Sequence, residues 1–138
     1  MEIQGYLFPD ELCYDRNHGW GRVEGDIVTV GLNDFAQKLA KDFVSVDLPF
    51  EGKSVTQGKA IASVESGKWV GRIYAIVSGE VVEINEELED EPTLLNTDPY
   101  GEGWVLKIRM DDPNELANLL RGEEVAGWLE EEIAKHAK

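Results

Sequence analysis

The chain has 138 residues, 30% of them charged and 42% hydrophobic, a mix that supports one globular domain with a core. Its 13 basic residues against 28 acidic ones give a net charge of −15, which opposes a nucleic-acid partner and suits docking to basic protein patches. Cys13 is the only cysteine, so no intrachain disulfide forms, and no apolar run is long enough to span a membrane as a helix.

The N-terminus carries acids where a signal peptide needs bases and has no apolar h-region, so the expectation is a cytoplasmic protein. Residues 1–22 are turn-rich and are expected to form an irregular lead-in packed on the core. A β core is expected over 23–110 and C-terminal helices over 112–137, all within one domain spanning 1–138. Residues 26–32 (DIVTVGL) are short, apolar and β-branched, the pattern of a buried strand. Asn33 or Asp34 then caps a helix over 35–43, with Phe35, Ala36, Leu39 and Ala40 on one face. Residues 43–48 alternate Val44, Val46 and Leu48 against Ser45 and Asp47, a half-buried strand stopped by Pro49.

From Gly52 onward, short β stretches alternate with turn signals at Gly58, Gly67, Ser78-Gly79 and residues 98–101 (DPYG), the form of a small barrel or sandwich. Residues 104–110 alternate as a closing strand. Asp112-Pro113 opens a helix with an acidic cap and a proline at its first position, and Gly122 ends it. A second helix follows Glu123 and Glu124, buries Val125, Trp128, Leu129 and Ile133, and places Lys135 and Lys138 at its cationic end.

The stretch AIASVESGKWVGRIYA contains the chemistry. Two β-type runs flank the pair Gly67-Lys68. A two-residue hairpin loop favours positive φ at its first central position, so Ser66-Gly67-Lys68-Trp69 is expected to be a type II′ turn with Gly67 supplying that φ. Such a turn projects the Lys68 ammonium away from the sheet, where a modifying enzyme can reach it. An exposed turn lysine is common, and this feature alone identifies nothing. His18 and His136 are the only imidazoles, and no CxxC or HExxH spacing occurs, so no metal site is expected. Cys13 reads as an inert, partly buried thiol.

The neighbouring motifs are more specific. HGW at 18–20, residues 23–49, VESGK at 64–68, VSGEVVEINEELEDEP and NTDPYGEGWVLKI together resemble the H-protein family of the glycine cleavage system, in order and over most of the chain. VESGK is similar to the VESVK motif around that family's lipoylated lysine. The resemblance implies a mainly β, lipoyl-domain-like barrel-sandwich hybrid with a short inserted helix and C-terminal helices. It implies lipoate attached to Lys68, with Glu65, Ser66 and Gly67 as the recognition context, and a carrier that catalyses nothing itself. It implies as partners a lipoate ligase or lipoyltransferase, a glycine decarboxylase, an aminomethyltransferase and a dihydrolipoamide dehydrogenase. A lipoyl domain of a 2-oxoacid dehydrogenase, a biotin domain, an unmodified binding module and an enzyme using Cys13 with His18 fit the motifs less well.

The chain departs from the pattern around the arm. Gly19 stands where the HEW motif has glutamate, Arg72 where an aspartate follows the lysine by four residues, and Asn17 where a serine precedes the histidine. Trp69 places a bulky ring beside the arm. A protonated amine held out of water needs a carboxylate, and an arginine suits an anion. The expectation is therefore a divergent carrier whose cargo is not aminomethyl, with a sulfur species in a heterodisulfide-reductase-like sulfur oxidation system as the leading candidate. The alternative is an ordinary glycine cleavage H-protein.

Overall fold

The computed structural model describes residues 1–136. The chain forms β1 (Glu2–Ile3), β2 (Tyr6–Leu7), β3 (Cys13–Tyr14), β4 (Gly19–Glu24), β5 (Ile27–Leu32), helix α1 (Asp34–Ala40) and β6 (Phe43–Asp47). There follow β7 (Ser54–Val55), β8 (Ala60–Ser66), β9 (Val70–Tyr74), β10 (Gly79–Ile84), short helices α2 (Glu87–Asp90) and α3 (Leu94–Thr97), and β11 (Leu106–Met110). A 3-10 helix (Pro113–Asn118) and α4 (Glu123–His136) complete the described chain.

The fold is mainly β. A six-stranded antiparallel sheet runs β3-β4-β5-β11-β10-β7, a three-stranded sheet runs β6-β8-β9, and β1 pairs with β2. These sheets are not closed into a barrel. The larger and the three-stranded sheets share a core of buried aliphatic side chains, among them Val28, Val30, Val64, Ile73, Val81, Leu106 and Ile108. A second cluster joins α4 to the N-terminal region through Phe8, Tyr14, Trp20, Phe35, Val125, Trp128 and Leu129.

Several expectations change on contact with the tertiary structure. The lead-in is not irregular throughout: it holds the β1-β2 hairpin and β3, and β4 already begins at Gly19. Helix α1 ends at Ala40 rather than residue 43, because Lys41 turns to φ 65° and its N–H bonds Gln37 O. Its N-cap is Asn33, whose Oδ1 accepts from Ala36 N at 2.9 Å. In β6 the expected alternation fails at Val44, which is 63% exposed. A register shift between Phe43 and Ser45 breaks the period-2 pattern there. The helix expected after Asp112 is a 3-10 helix, capped by Asp112 Oδ1 accepting from Asn114 N at 2.9 Å. Lys138 and the last position of the expected C-terminal segment lie outside the described residues.

The DPYG turn at 98–101 fastens the N-terminal segment to the sheet. Trp20 Nε1 donates to Pro99 O at 3.0 Å. The Tyr100 hydroxyl donates to Leu7 O at 2.6 Å and accepts from Asp34 N at 2.8 Å. No helix among the described residues is long and apolar enough to cross a membrane.

Candidate functional site

The β8-β9 hairpin presents Lys68. Strand pairing aligns Glu65 with Val70, which leaves Ser66 to Trp69 to make the turn. Ser66 N donates to Trp69 O at 2.8 Å. The return bond is made by a side chain: Ser66 Oγ accepts from Trp69 N at 3.0 Å and Lys68 N at 3.2 Å. Gly67 does not have positive φ, so the turn is not type II′. The buried Ser66 hydroxyl substitutes for the conformation that glycine was expected to supply. Gly67 and Lys68 are both exposed, as attachment of a long arm to Lys68 requires. Glu65 points to β6, where its Oε1 accepts from Ser45 Oγ at 3.4 Å, and it does not line the groove described next.

A groove of about 480 Å³ begins at Trp69, the residue after Lys68. Asn17, His18, Trp69 and Arg72 line it, together with Glu132 and Lys135 from α4. Four residues singled out in the sequence therefore meet at one place. The outer edge of the Trp69 ring lies against Gly71, where a Cβ would collide with it. Its edge packs on Phe43 at a centroid distance of 6.2 Å. Trp69 thus forms a wall of the groove.

His18 sits at the groove's inner end with φ 73°, a conformation uncommon for a non-glycine residue. Its ring stacks on Phe35 at 5.8 Å and meets the edge of Trp128 at 5.5 Å. His18 Nε2 lies 3.1 Å from Glu132 Oε1. Burial lowers the imidazole pKa, and the Glu132 carboxylate only partly opposes that effect. The contact is therefore a neutral N–H donating to a carboxylate. Glu132 Oε2 accepts Lys135 Nζ at 3.1 Å. Although bracketed by surface charges, the Glu132 side chain is only 8% exposed.

Gly19 lies outside the lining of the groove, and the structure gives a reason for the missing acid. A Cβ at this position would meet the Asp15 carboxylate at 3.1 Å. Asp15 Oδ1 accepts from Gly19 N at 2.7 Å and Asn17 N at 2.9 Å. Burial raises the Asp15 pKa, while these two donors hold it down. A glutamate at 19 would crowd a carboxylate already buried beside it.

The groove is not devoid of acid, contrary to the expectation drawn from Gly19 and Arg72. Glu132 supplies a carboxylate from the far end of the chain. The sequence analysis did not single it out, although a signal was there: Glu132 falls three residues after Leu129 and four after Trp128, on the apolar face of α4, whereas Glu130 and Glu131 are exposed. The metal expectation also misses a juxtaposition, since His18, Glu132 and His136 place ligand atoms within 4.8 Å of one another.

The family model for the glycine cleavage H-protein matches residues 12–132. The chain belongs to this family. Its relatives include a probable glycine cleavage system H protein of Aeropyrum pernix, 48% identical over 90% of this chain and 88% of the relative. Glycine cleavage system H protein 4 of Aquifex aeolicus is 43% identical over 94% of this chain and 75% of its own. The crystal structure of a glycine cleavage system H protein from Mycobacterium marinum superposes with a TM-score of 0.81 at 33% identity, covering 89% of this chain and 99% of that one. Glycine cleavage H-proteins are non-catalytic carriers with lipoate covalently bound to a lysine, so this chain is a lipoate carrier and not an enzyme. The sulfur-oxidation expectation gains no support from these relatives, whose names point to glycine cleavage.

Proposed function

We propose that the chain is the ordinary H-protein of a glycine cleavage system, with Lys68 as the lipoyl attachment point and an aminomethyl group as cargo. The bound lipoyl group supplies a disulfide that can be opened, loaded and reoxidised. The protein's own residues present and shield it. The Ser66-capped turn holds the Lys68 backbone at a fixed, exposed position. The groove that starts beside it offers an apolar wall in Trp69 and a buried carboxylate in Glu132.

Glu132 carries this reading. A loaded arm ends in an ammonium, and a carboxylate removed from water binds an ammonium far better than a solvated one does. Glu132 already holds one such group, the Lys135 ammonium, at 3.1 Å. Arg72 is exposed at the groove's outer rim, where water screens its charge. The site thus suits a cation at its inner end despite Arg72.

The implied partners are a lipoate ligase or lipoyltransferase, a glycine decarboxylase, an aminomethyltransferase and a dihydrolipoamide dehydrogenase, in the cytoplasm. A heterodisulfide-reductase-like partner is the competing outcome. Intact mass after incubation with lipoate and an active ligase should rise by one lipoyl group, and Lys68→Arg should abolish the gain. Reconstitution with glycine decarboxylase should load the lipoylated protein. In Glu132→Gln the loaded group should be lost to water on the order of 10-fold faster, the scale of a charge-assisted hydrogen bond of about 1.5 kcal/mol. Failure to load with a decarboxylase proven active on another carrier would overturn the aminomethyl assignment.

A further inference from the structure

Three metal-ligating side chains converge where α4 meets the His18 turn. His18 Nε2 lies 3.1 Å from Glu132 Oε1, and His136 Nε2 lies 3.9 Å from the same oxygen. A tetrahedral Zn²⁺ with bonds of about 2.0–2.1 Å separates neighbouring donor atoms by roughly 3.3 Å. The observed separations fall on either side of that value. All three donor atoms lie within 4.8 Å of one another, and the remaining gap closes by rotation of His136, an exposed side chain on the last turn of α4. Glu132 and His136 are four residues apart on one helix face.

We propose that His18, Glu132 and His136 form a binding site for a divalent transition-metal ion, best matched by Zn²⁺, with its fourth position open toward the arm groove. Two imidazole nitrogens and one carboxylate select such an ion over Mg²⁺ or Ca²⁺, which take oxygen donors. Three protein ligands with one open position is the form of an accessible zinc site rather than a closed structural one.

Two further observations support the site. His18 is fixed between Phe35 and Trp128, which holds its Nε2 toward Glu132. Glu132 is nine-tenths buried, and its Oε1 faces no cation among the described residues other than the two histidines when protonated. Lys135 engages the other oxygen, Oε2, and competes with the metal only through charge. When the metal binds Nε2, the ring proton moves to Nδ1. That atom is buried and has no hydrogen-bond partner. A ligating histidine without such an outer partner typically binds about 10–100-fold more weakly, so the affinity should be moderate.

The site does not depend on the lipoyl arm, so the test uses the full chain carrying Lys68→Arg, which has no attachment point and no polyhistidine tag. Zn²⁺ is titrated calorimetrically in excess Ca²⁺, which occupies the surface carboxylates of this acidic chain. One saturable site is expected. His136→Ala should weaken it by at least about 10-fold, and Lys135→Ala should tighten it. Co²⁺ in place of Zn²⁺ should give the visible absorption of a tetrahedral centre. No saturable Zn²⁺ site in excess Ca²⁺, or equal affinity in His136→Ala, would overturn the proposal. Either result leaves the glycine cleavage assignment standing, which is tested at Lys68; a bound metal would compete with the loaded arm's ammonium for Glu132.

Discussion

His18 concentrates several constraints in one residue. It holds φ 73°, buries its ring between two aromatics and gives its Nε2–H to Glu132. In the unfolded chain its imidazole titrates near 6.5, whereas burial holds the folded value lower. Between those two values the unfolded state binds the extra proton. This contribution to stability is therefore complete above pH 6.5 and falls away as the pH drops below it. The charged or titratable groups facing the ring are Glu132, Lys135 and His136. His18→Asn keeps a residue that tolerates positive φ and removes the titration. Its melting temperature should decline less steeply than that of the parent from about pH 7.5 to about pH 5.5. Parallel slopes would show that the imidazole is not the titrating group. The sequence marked His18 through its place in HGW, but neither its neutral state nor its partner could be read there, because both come from residues distant in the chain.

At the scale of elements, the β8-β9 turn shows how a correct hairpin can carry a wrong turn type. A glycine at the first loop position is the usual sign of positive φ. The chain instead closes the turn with the Ser66 hydroxyl, which accepts two backbone N–H groups. The family motif VESVK, with valine at the glycine's position, was a signal in the same direction, since a β-branched residue resists positive φ. Nothing lies within 4 Å of a Cβ built on Gly67. Gly67→Ala should therefore be neutral or stabilise by up to about 1 kcal/mol through the unfolded state, measured by denaturant unfolding. A loss of more than 1 kcal/mol would restore the type II′ turn. Ser66→Ala should cost about 0.5–1.5 kcal/mol by removing two part-buried hydrogen bonds, and should slow lipoylation by loosening the turn. Strong local patterns made β5, the capped start of α1 and the β8-β9 hairpin legible. The four-residue helices α2 and α3 escaped notice because each is a single turn without periodicity.

Over the whole molecule, α4 does two jobs. Its apolar stripe of Val125, Trp128 and Leu129 closes the N-terminal aromatic cluster, and the same helix carries Glu132 and His136 to His18. Trp128→Ala should cost about 3–5 kcal/mol and, by releasing the helix, should also shorten the life of a loaded arm. Chemical unfolding and a decay assay on the loaded protein would check the two effects together. A full loss of stability with an unchanged decay rate would separate the helix from the groove.

Strand periodicity and turn signals determined by themselves that the chain is mainly β with an exposed lysine on a hairpin tip; that the lysine belongs to a carrier came from the resemblance of VESGK and its neighbours to the family's motifs. Those signals are local, and local chain geometry is enough to produce them. The character of the groove was decided only in three dimensions. From Gly19 and Arg72 alone the site looked stripped of acid. Packing of the last helix against the first loops buries Glu132 beside His18, and a carboxylate acquires its meaning from what surrounds it once water is excluded.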